Sequence, residues 1–187
     1  MAEKFTSYGI RGLHLAPLLT DTQAGATYAE ELVRAWGAQE GSITVAVSEN
    51  SLRGDDGVIE IDSTVSNVEF SASNAVITME QLQAVLGGAV SDILGEDTEP
   101  VIGKRYTLSG GQNLPYFGLI AITEKQGTLK AVLHKCKATG GVDLAFSDES
   151  YAVVSFSGSG VARDFDGKMF ELLKYDETNP VKVEDLQ

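Results

Sequence analysis

The fold is decided by the stretch Leu129-Lys130-Ala131-Val132-Leu133-His134-Lys135-Cys136, whose side chains follow a period of two. On an extended chain, one face carries Leu129, Ala131 and Leu133, and the other carries Lys130, Val132, His134 and Cys136. Such a period is typical of a β-strand. Residues 116 to 175 contain further segments of this kind, so the second half of the chain is predicted to be strand after strand.

Two glycine-containing segments separate the predicted strands of this half. The strand pattern of 151–156 is predicted to stop at Gly158-Ser159-Gly160. Beyond it, 161–165 and 168–173 resemble two more strands, and Asp166-Gly167 between them readily adopts the positive φ angles of a tight turn. The sequence therefore predicts a β-hairpin centred on Asp166-Gly167.

The first half mixes strand and helix signals. Residues 8 to 13 indicate an arm or a first short strand, and 24–36 could form a helix that ends by Gly37 or Gly41. Alternation over 43–47 predicts a strand. Gly54-Asp55-Asp56-Gly57 predicts a turn, which leads into strand-like segments at 58–61 and 65–70.

One helix is well signalled. Thr78 followed by Gln81 has the form of a capping box, and Leu82, Val85 and Leu86 share one helical face before Gly87-Gly88 ends the pattern. Residues 95 to 115 hold many turn-forming residues, which predicts long connections.

Composition favours one folded domain spanning 1–187, with an N-terminal arm over 1–20 and a C-terminal tail over 176–187. The chain has 187 residues, and 43% of them are hydrophobic. No stretch approaches the roughly 18 to 20 apolar residues of a membrane span, and the first residues lack the pattern of a signal peptide. The single Cys136 excludes an internal disulfide framework and fits synthesis in a reducing compartment.

The net charge of -13 disfavours proteins that grip nucleic acid, because phosphate binding requires clustered Lys and Arg. Repulsion can itself be useful. A conduit through which DNA must slide without sticking would have acidic walls.

Two groups of residues could bind metal, and each has a simpler interpretation. Asp55-Asp56 could bind calcium, but the segment lacks the spaced ligands of a calcium loop, and a solvated turn is favoured. His134 and Cys136 are expected on one strand face. Two ligands do not make a zinc site, so a half-buried strand face is favoured. The sequence predicts no metal site and no cofactor.

The case for an enzyme is weak. His14 and His134 are the available imidazole bases, and neither has a recognisable nucleophile beside it. Ser109-Gly110-Gly111 is not a nucleophile elbow. Neither Gly110-Gly111 nor Gly158-Ser159-Gly160 has the lysine and strand-to-helix setting of a phosphate loop. We expect no catalytic residues.

The order of these features resembles that of a known family. The segments that carry the resemblance are Tyr8-Gly9-Ile10-Arg11-Gly12-Leu13-His14-Leu15-Ala16-Pro17, Ser51-Leu52-Arg53-Gly54-Asp55-Asp56, the helix Met79 to Leu86, Tyr116-Phe117-Gly118-Leu119, Ala131-Val132-Leu133-His134-Lys135-Cys136-Lys137 and Phe156-Ser157-Gly158-Ser159-Gly160-Val161-Ala162. In this order the chain resembles the major tail tube proteins of long-tailed (siphovirus-type) bacteriophages. The resemblance covers nearly the whole chain.

The resemblance implies a mainly β fold, an antiparallel β-sandwich or barrel flanked by one α-helix, with long loops and terminal arms. It implies a structural virion protein whose hexameric rings stack into a tail tube. The tube surrounds the tape-measure protein, contacts other tail proteins and conducts DNA into the host without binding it specifically. The implied location is the virion tail, after assembly in the host cytoplasm, with no membrane partner. Six copies of a chain of charge -13 carry -78.

Several expectations follow, and alternatives stay open. Residues 48 to 62 are expected to form a long hairpin or loop that contacts a neighbouring subunit, and strands of the C-terminal half are expected to line the lumen. Glu171 is one lumen candidate, but it could equally lie outside or pair with a cation. The competing functions are another tail component of similar fold, such as a terminator or baseplate hub domain, and a carbohydrate-binding or adhesion module. Aromatic content of 7% disfavours the last.

Overall fold

The computed structural model describes residues 9–54, 57–76, 78–94, 101–124, 128–145 and 153–187. The fold is mainly β, with antiparallel pairing throughout, and the expected sandwich-like fold with a single α-helix is confirmed for these ranges. The elements are β1 Gly12–Thr22, β2 Gly25–Tyr28, β3 Val33–Ala35, β4 Ala38–Gly54, β5 Gly57–Asn74, α1 Met79–Leu86, β6 Ala89–Leu94, β7 Val101–Thr107, β8 Phe117–Glu124, β9 Thr128–Lys137, β10 Val142–Ala145, β11 Val153–Gly160, β12 Phe170–Tyr175 and a 3-10 helix Val183–Leu186.

Strand β9 divides the main sheet into two layers. The first part of β9, residues 128–133, lies between β8 and β12. Beyond the end of β12, Cys136 and Lys137 on the same edge of β9 pair with β11 instead. Layer A therefore consists of β1, β8, β9 and β12, with β2 and β3 on the outer edge of β1. Layer B consists of β10, β11, β5 and β4, in that order.

The main core lies between the two layers. Phe70 of β5 makes edge-on contacts with Phe117 of β8 and Phe156 of β11, at ring-centroid distances of 5.9 and 6.2 Å. Leu13, Leu15, Val68, Leu119, Leu133 and Cys136 complete its centre. A bulge in β9 places both Leu133 and Cys136 on this face, because two residues of β9 stand opposite Gly118.

A second core covers the other face of layer A. Its buried members are Ala16, Tyr28, Ile120, Ile122, Val132 and Leu186. Leu186 comes from the C-terminal segment, which also contributes Val181 and Val183. The predicted tail over 176–187 is therefore docked on the sheet, and both faces of layer A are covered.

Helix α1 spans the predicted residues, but only half of the predicted capping box forms. The Thr78 hydroxyl accepts a hydrogen bond from the Gln81 backbone N–H at 3.2 Å. The Gln81 side chain does not return this bond. Its amide pairs with the amide of buried Asn74, at 2.9 and 3.0 Å, and so ties the helix to the end of β5. Gly87 ends the helix with φ of +76°.

In the N-terminal region the structure differs from the sequence-based prediction. Residues 24–36 are not helical, since they form β2 and β3, which pair with successive parts of β1. Of the predicted arm over 1–20, residues 12–20 belong to β1, whose Leu13 and Leu15 are buried; the first-strand interpretation is the right one. Sheet pairing outweighed the helical spacing of a few apolar residues.

In the C-terminal half, the predicted strand end at Gly158 and the predicted hairpin around Asp166-Gly167 are wrong, although the turn itself is present. Strand β11 runs through Gly158-Ser159-Gly160, because the missing side chain at Gly158 lets the chain after Lys137 pass close beside it. The turn at Asp166-Gly167 exists, with Gly167 at φ of +72° and the Arg163 N–H donating to the Lys168 carbonyl. Residues 161–165 are not a strand, however, and β12 pairs with β9.

Two further segments differ from the sequence expectation. Part of the predicted connection over 95–115 is β7, which pairs with β6 in a separate two-stranded sheet. The strand segments predicted at 58–61 and 65–70 are one long strand, β5, which pairs with β4 from Ala38 to Gly54. The long hairpin expected around 48–62 is thus confirmed as a hairpin.

Candidate functional site

The outer face of layer B is a surface of small hydroxyl side chains and carboxylates, here called the serine face. The register of β4, β5, β10 and β11 places on it Glu40, Ser42, Thr44, Ala46, Ser48, Asn50, Asp62, Thr64, Asn67, Glu69, Ser71, Ser73, Asp143, Val153, Ser155, Ser157 and Ser159. Alternation creates this face, since Phe70, Ala72, Val154 and Phe156 point to the core from the intervening positions.

The electrostatics of the serine face are uniformly acidic or neutral. In the sequence of β4, β5, β10 and β11, Arg53 is the sole basic residue. Hydroxyls pair with one another, as in Ser42–Ser71 across β4 and β5 at 2.8 Å, and Ser159 of β11 with Thr139 of the turn after β9 at 3.3 Å. This surface offers many hydrogen bonds to water and few cations to a phosphate, and Lys137 of β9, which stands opposite Ser159, lies at its border.

The serine face ends at a long, unpaired strand edge. In the part of the chain that the structure describes, β4 is the last strand of layer B, and its outer edge pairs with nothing. The strand is 17 residues long and contains no proline or lysine. Natural proteins usually shorten, charge or cover such edges, because a free edge recruits another strand. The edge of β4 is therefore suited to pairing with another chain.

The distal part of the β4–β5 hairpin exposes apolar side chains. Val47 and Val65 face each other across the two strands and are 59% and 52% exposed, and Ile61 is 58% exposed. They lie on the continuation of the core face, beyond the buried Val68, and share this face with Glu49, Ser51 and Ser63. Asp55 and Asp56 at the tip, proposed as a turn or a calcium ligand pair, lie outside the described residues.

An apolar cleft of about 860 Å³ opens between the two layers at the other end of β5. Its apolar lining includes Leu119, Leu129 and Ala131 from layer A and Ile43, Ala72 and Phe156 from layer B, and polar residues such as Glu40, Thr123 and Asp143 also line it. Glycine and alanine occupy many of the positions that face the gap. Among the described residues, the side chains that face this gap are too small to fill it.

His134 and Cys136 do not share a face, contrary to the sequence expectation. Cys136 lies in the main core, where burial raises the pKa of its thiol. His134 faces the C-terminal segment on the opposite side of β9, with Nδ1 3.1 Å from the Leu186 carbonyl oxygen and Nε2 3.1 Å from Glu171. The bulge in β9 separates the two residues.

The surroundings of His134 act on the pKa of its ring in opposite directions. Burial, followed by the Arg163 guanidinium, lowers the pKa of the ring, while the Leu186 carbonyl and Glu171 act in the raising direction. The net effect favours the neutral ring. Glu171 also forms an ion pair with Lys168 at 2.8 Å, so its carboxylate pairs with a cation, as one of the sequence-based alternatives for this residue proposed.

The remaining candidates are dispersed. His14 lies on β1, where burial and then Arg34 lower its pKa. Ser109, Gly110 and Gly111 are exposed after β7.

The described residues contain no group of three or more His, Cys, Asp or Glu side chains placed to hold a metal ion. Within the same ranges, no helix combines the length and apolar character needed to cross a membrane.

A buried cluster that sequence reasoning missed fixes the C-terminal segment. Lys130 Nζ is fully buried and contacts Asp185 at 2.8 Å, the Asn179 side-chain oxygen at 2.9 Å and the Pro180 carbonyl at 2.8 Å. Arg163 donates to the Leu186 carbonyl and forms an ion pair with Asp166 at 2.6 Å. The sequence signal for this cluster was Lys130 itself, a lysine at a strand position where the neighbouring residues are buried.

Sequence comparison adds no relative to this description. No protein-family model matches the chain, and no curated protein matches it.

Proposed function

We propose that this chain is the subunit of a tubular virion assembly, the tail tube of a long-tailed bacteriophage, in which six copies form a ring and rings stack. The tube would surround the tape-measure protein and later conduct DNA. The observation that carries the proposal is the serine face: a sheet surface of small hydroxyls and carboxylates beside an unpaired strand edge.

The free edge of β4 supports closure into a ring. A 17-residue edge extends over about 56 Å at roughly 3.3 Å per residue, long for an unprotected edge. Pairing it with a strand of the next copy removes the edge, and repetition around a ring removes every such edge. The serine face then becomes one wall of a closed barrel.

The chemistry of the serine face supports a lumen. Small side chains leave a wide passage, and carboxylates repel DNA phosphates while hydroxyls keep the wall hydrated. We therefore propose that β4, β5 and β11 line the lumen, so that both halves of the chain contribute. Glu171 lies on the other layer and is paired with Lys168 and His134, which makes it a poor lumen candidate.

The carbohydrate-binding alternative depends on exposed aromatic rings. Trp36 is 50% exposed, but the Arg34 guanidinium lies 4.2 Å from its ring centroid and covers one face. A sugar stacking on that face would have to displace the arginine. The tail terminator and baseplate hub alternatives share the sandwich and differ in assembly, since neither stacks repeated rings.

Negative-stain microscopy and solution mass, measured over a range of protein concentrations, test the proposal. We expect six-subunit rings that stack into tubes as concentration rises. Single rings that never stack would favour a terminator. A protein that stays monomeric at every concentration, and in lysates of infected cells, would contradict the proposal.

A further inference from the structure

Lys130 is a nucleophilic side chain that the fold holds away from water. Its side chain has no exposed surface, and Ile122 of β8 and Leu173 of β12, which stand directly opposite it, flank it on the same face of layer A. Both of these residues pack in the second core. The Tyr175 ring lies 4.9 Å from Nζ. Apolar side chains therefore surround the amine, and the C-terminal segment supplies polar atoms to it.

An amide and a carboxylate meet at this amine. Nζ donates hydrogen bonds to the Asn179 side-chain oxygen at 2.9 Å and to the two Asp185 oxygens at 2.8 and 3.0 Å. A C=O bond is about 1.2 Å long, so Nζ lies within about 4.1 Å of the amide carbon, Cγ. Rotation about χ2, a soft torsion in asparagine, turns the face of the amide toward Nζ. A nucleophile, a carbonyl carbon and a base thus lie together.

The chain around Asn179 restrains the amide and blocks its usual side reaction. The Asn179 backbone N–H donates to the Thr128 hydroxyl at 2.8 Å, which ties this residue to the start of β9. An asparagine usually deamidates through attack on Cγ by the next backbone nitrogen, but residue 180 is proline, which has no N–H to lose. Lys130 is then the nucleophile placed beside this amide.

We propose that Lys130 and Asn179 form an intramolecular isopeptide bond, with Asp185 as the general base. Nζ passes a proton to Asp185, and its lone pair then attacks Cγ. After the Nζ–Cγ bond has formed, the Cγ–Nδ2 bond breaks and Nδ2 leaves as ammonium. Of the three protons on the starting Nζ, one stays on the new amide and two leave with the ammonium, so Asp185 returns to its ionised form. The reaction consumes no oxidant, reductant or second substrate.

The bond would fasten the C-terminal segment to layer A covalently. It forms within one chain between groups that folding has already brought together, so it requires neither ring formation nor a partner. It closes a loop between residues 130 and 179, and a crosslink of this kind stabilises a fold mainly by restricting the unfolded chain. The segment would therefore stay attached to β9 when the rest of the domain opens.

Intact-protein mass spectrometry tests the reaction on the full chain without any substitution. We expect the purified protein, incubated at neutral pH, to become lighter than its sequence mass by one ammonia, about 17 Da. Tryptic digestion should then yield residues 126–135 joined to residues 175–182, because trypsin does not cut at an acylated lysine. A chain that keeps its full sequence mass after prolonged incubation and gives no joined peptide would overturn the proposal.

Asn179→Ala and Asn113→Ala form a matched pair, since Asn113 is an exposed asparagine between β7 and β8. We expect the first variant to keep its full mass and the second to lose ammonia as the wild type does. An equal loss from both would assign the reaction to another residue and overturn the proposal. Asp185→Asn, once circular dichroism shows that it is folded, should form the bond about tenfold more slowly or less. An unchanged rate would overturn the role of Asp185.

Discussion

Lys130 and Asp185 join the central strand of layer A to the C-terminal segment through an ion pair of 2.8 Å, with the lysine side chain fully buried. Removing one partner of such a pair leaves a buried charge uncompensated, which typically costs about 3–5 kcal/mol. The pair therefore makes residues 179–187 part of the folded domain, even though they contain little regular secondary structure.

Asp185→Asn is expected to lower the free energy of unfolding by about 3 kcal/mol, because Lys130 would keep its neutral oxygen partners and lose its counter-ion. Urea denaturation measures this as a lower midpoint at unchanged slope. Glu184→Gln is the matched control, since Glu184 is exposed, and we expect a change within about 0.5 kcal/mol. Equal effects of the two substitutions would show that the buried pair is not holding the segment.

Gly158→Ala tests why β11 can pass through its glycines. A Cβ at this position would meet the Lys137 carbonyl oxygen and Ala138, which are backbone atoms of the strand that joins the two layers. We expect a loss of about 1–3 kcal/mol in the free energy of unfolding, typical of overpacking. Gly110→Ala is the control, because no atom lies within 4 Å of its added Cβ. If both variants have the same melting temperature, the close approach at Gly158 is not required.

The sequence predicted the positions of single elements better than the contacts between them. Alternation over 129–136 and the Thr78–Gln81 signal located β9 and α1, because each depends on contacts within a few residues. It misplaced Cys136, since a bulge depends on the partner strand, and it missed the Lys130 cluster, whose partners lie about 50 residues away. The serine face needed the register of four strands, which no single segment contains.

Acidification is expected to destabilise the fold through His134. Its pKa in the folded chain lies below the ordinary 6.5, so the unfolded chain binds the proton first as pH falls. Stability from this group is complete above pH 6.5 and declines below it, by at most about 1.4 kcal/mol per pH unit, until the folded-state pKa is reached. Denaturation at pH 7.5, 6.5 and 5.5 measures the slope.

His134→Gln is the comparison for that slope, because glutamine does not titrate in this range. We expect a smaller loss of stability between pH 6.5 and 5.5 in the variant, whatever its stability at pH 7.5. Parallel curves for the two proteins would show that the histidine titrates alike in the folded and unfolded chains. Nuclear magnetic resonance titration of the His134 ring gives an independent value for the folded state.

Hydrogen exchange should distinguish the free subunit from the assembly. No described strand pairs with the outer edge of β4, so we expect the outward amides of residues 45–51 to exchange rapidly in the monomer. Ring closure through this edge should slow their exchange at least tenfold. Residues 117–122 of β8, paired on both edges, serve as the internal reference. Equal exchange of 45–51 in the monomer and the tube would contradict a role for the β4 edge in assembly.

Adding cations to the serine face tests whether the proposed wall works by repulsion. Ser42→Lys, Ser71→Lys and Ser157→Lys together add three cations per subunit at exposed or half-exposed positions, so the subunit should still fold and assemble. Each lysine can contact a phosphate, and such contacts weaken as salt rises. We expect tails that carry the triple variant to eject DNA more slowly, with normal rates returning at high salt.

The matched control places lysines outside the proposed lumen, at exposed Glu177, Thr178 and Glu184 of the C-terminal segment. This control changes the net charge of the subunit by at least as much as the serine-face variant, so a difference between the two reports location rather than total charge. We expect control tails to eject DNA at the wild-type rate. If the serine-face variant also does so in intact tubes, the charge of this face is not part of the ejection mechanism.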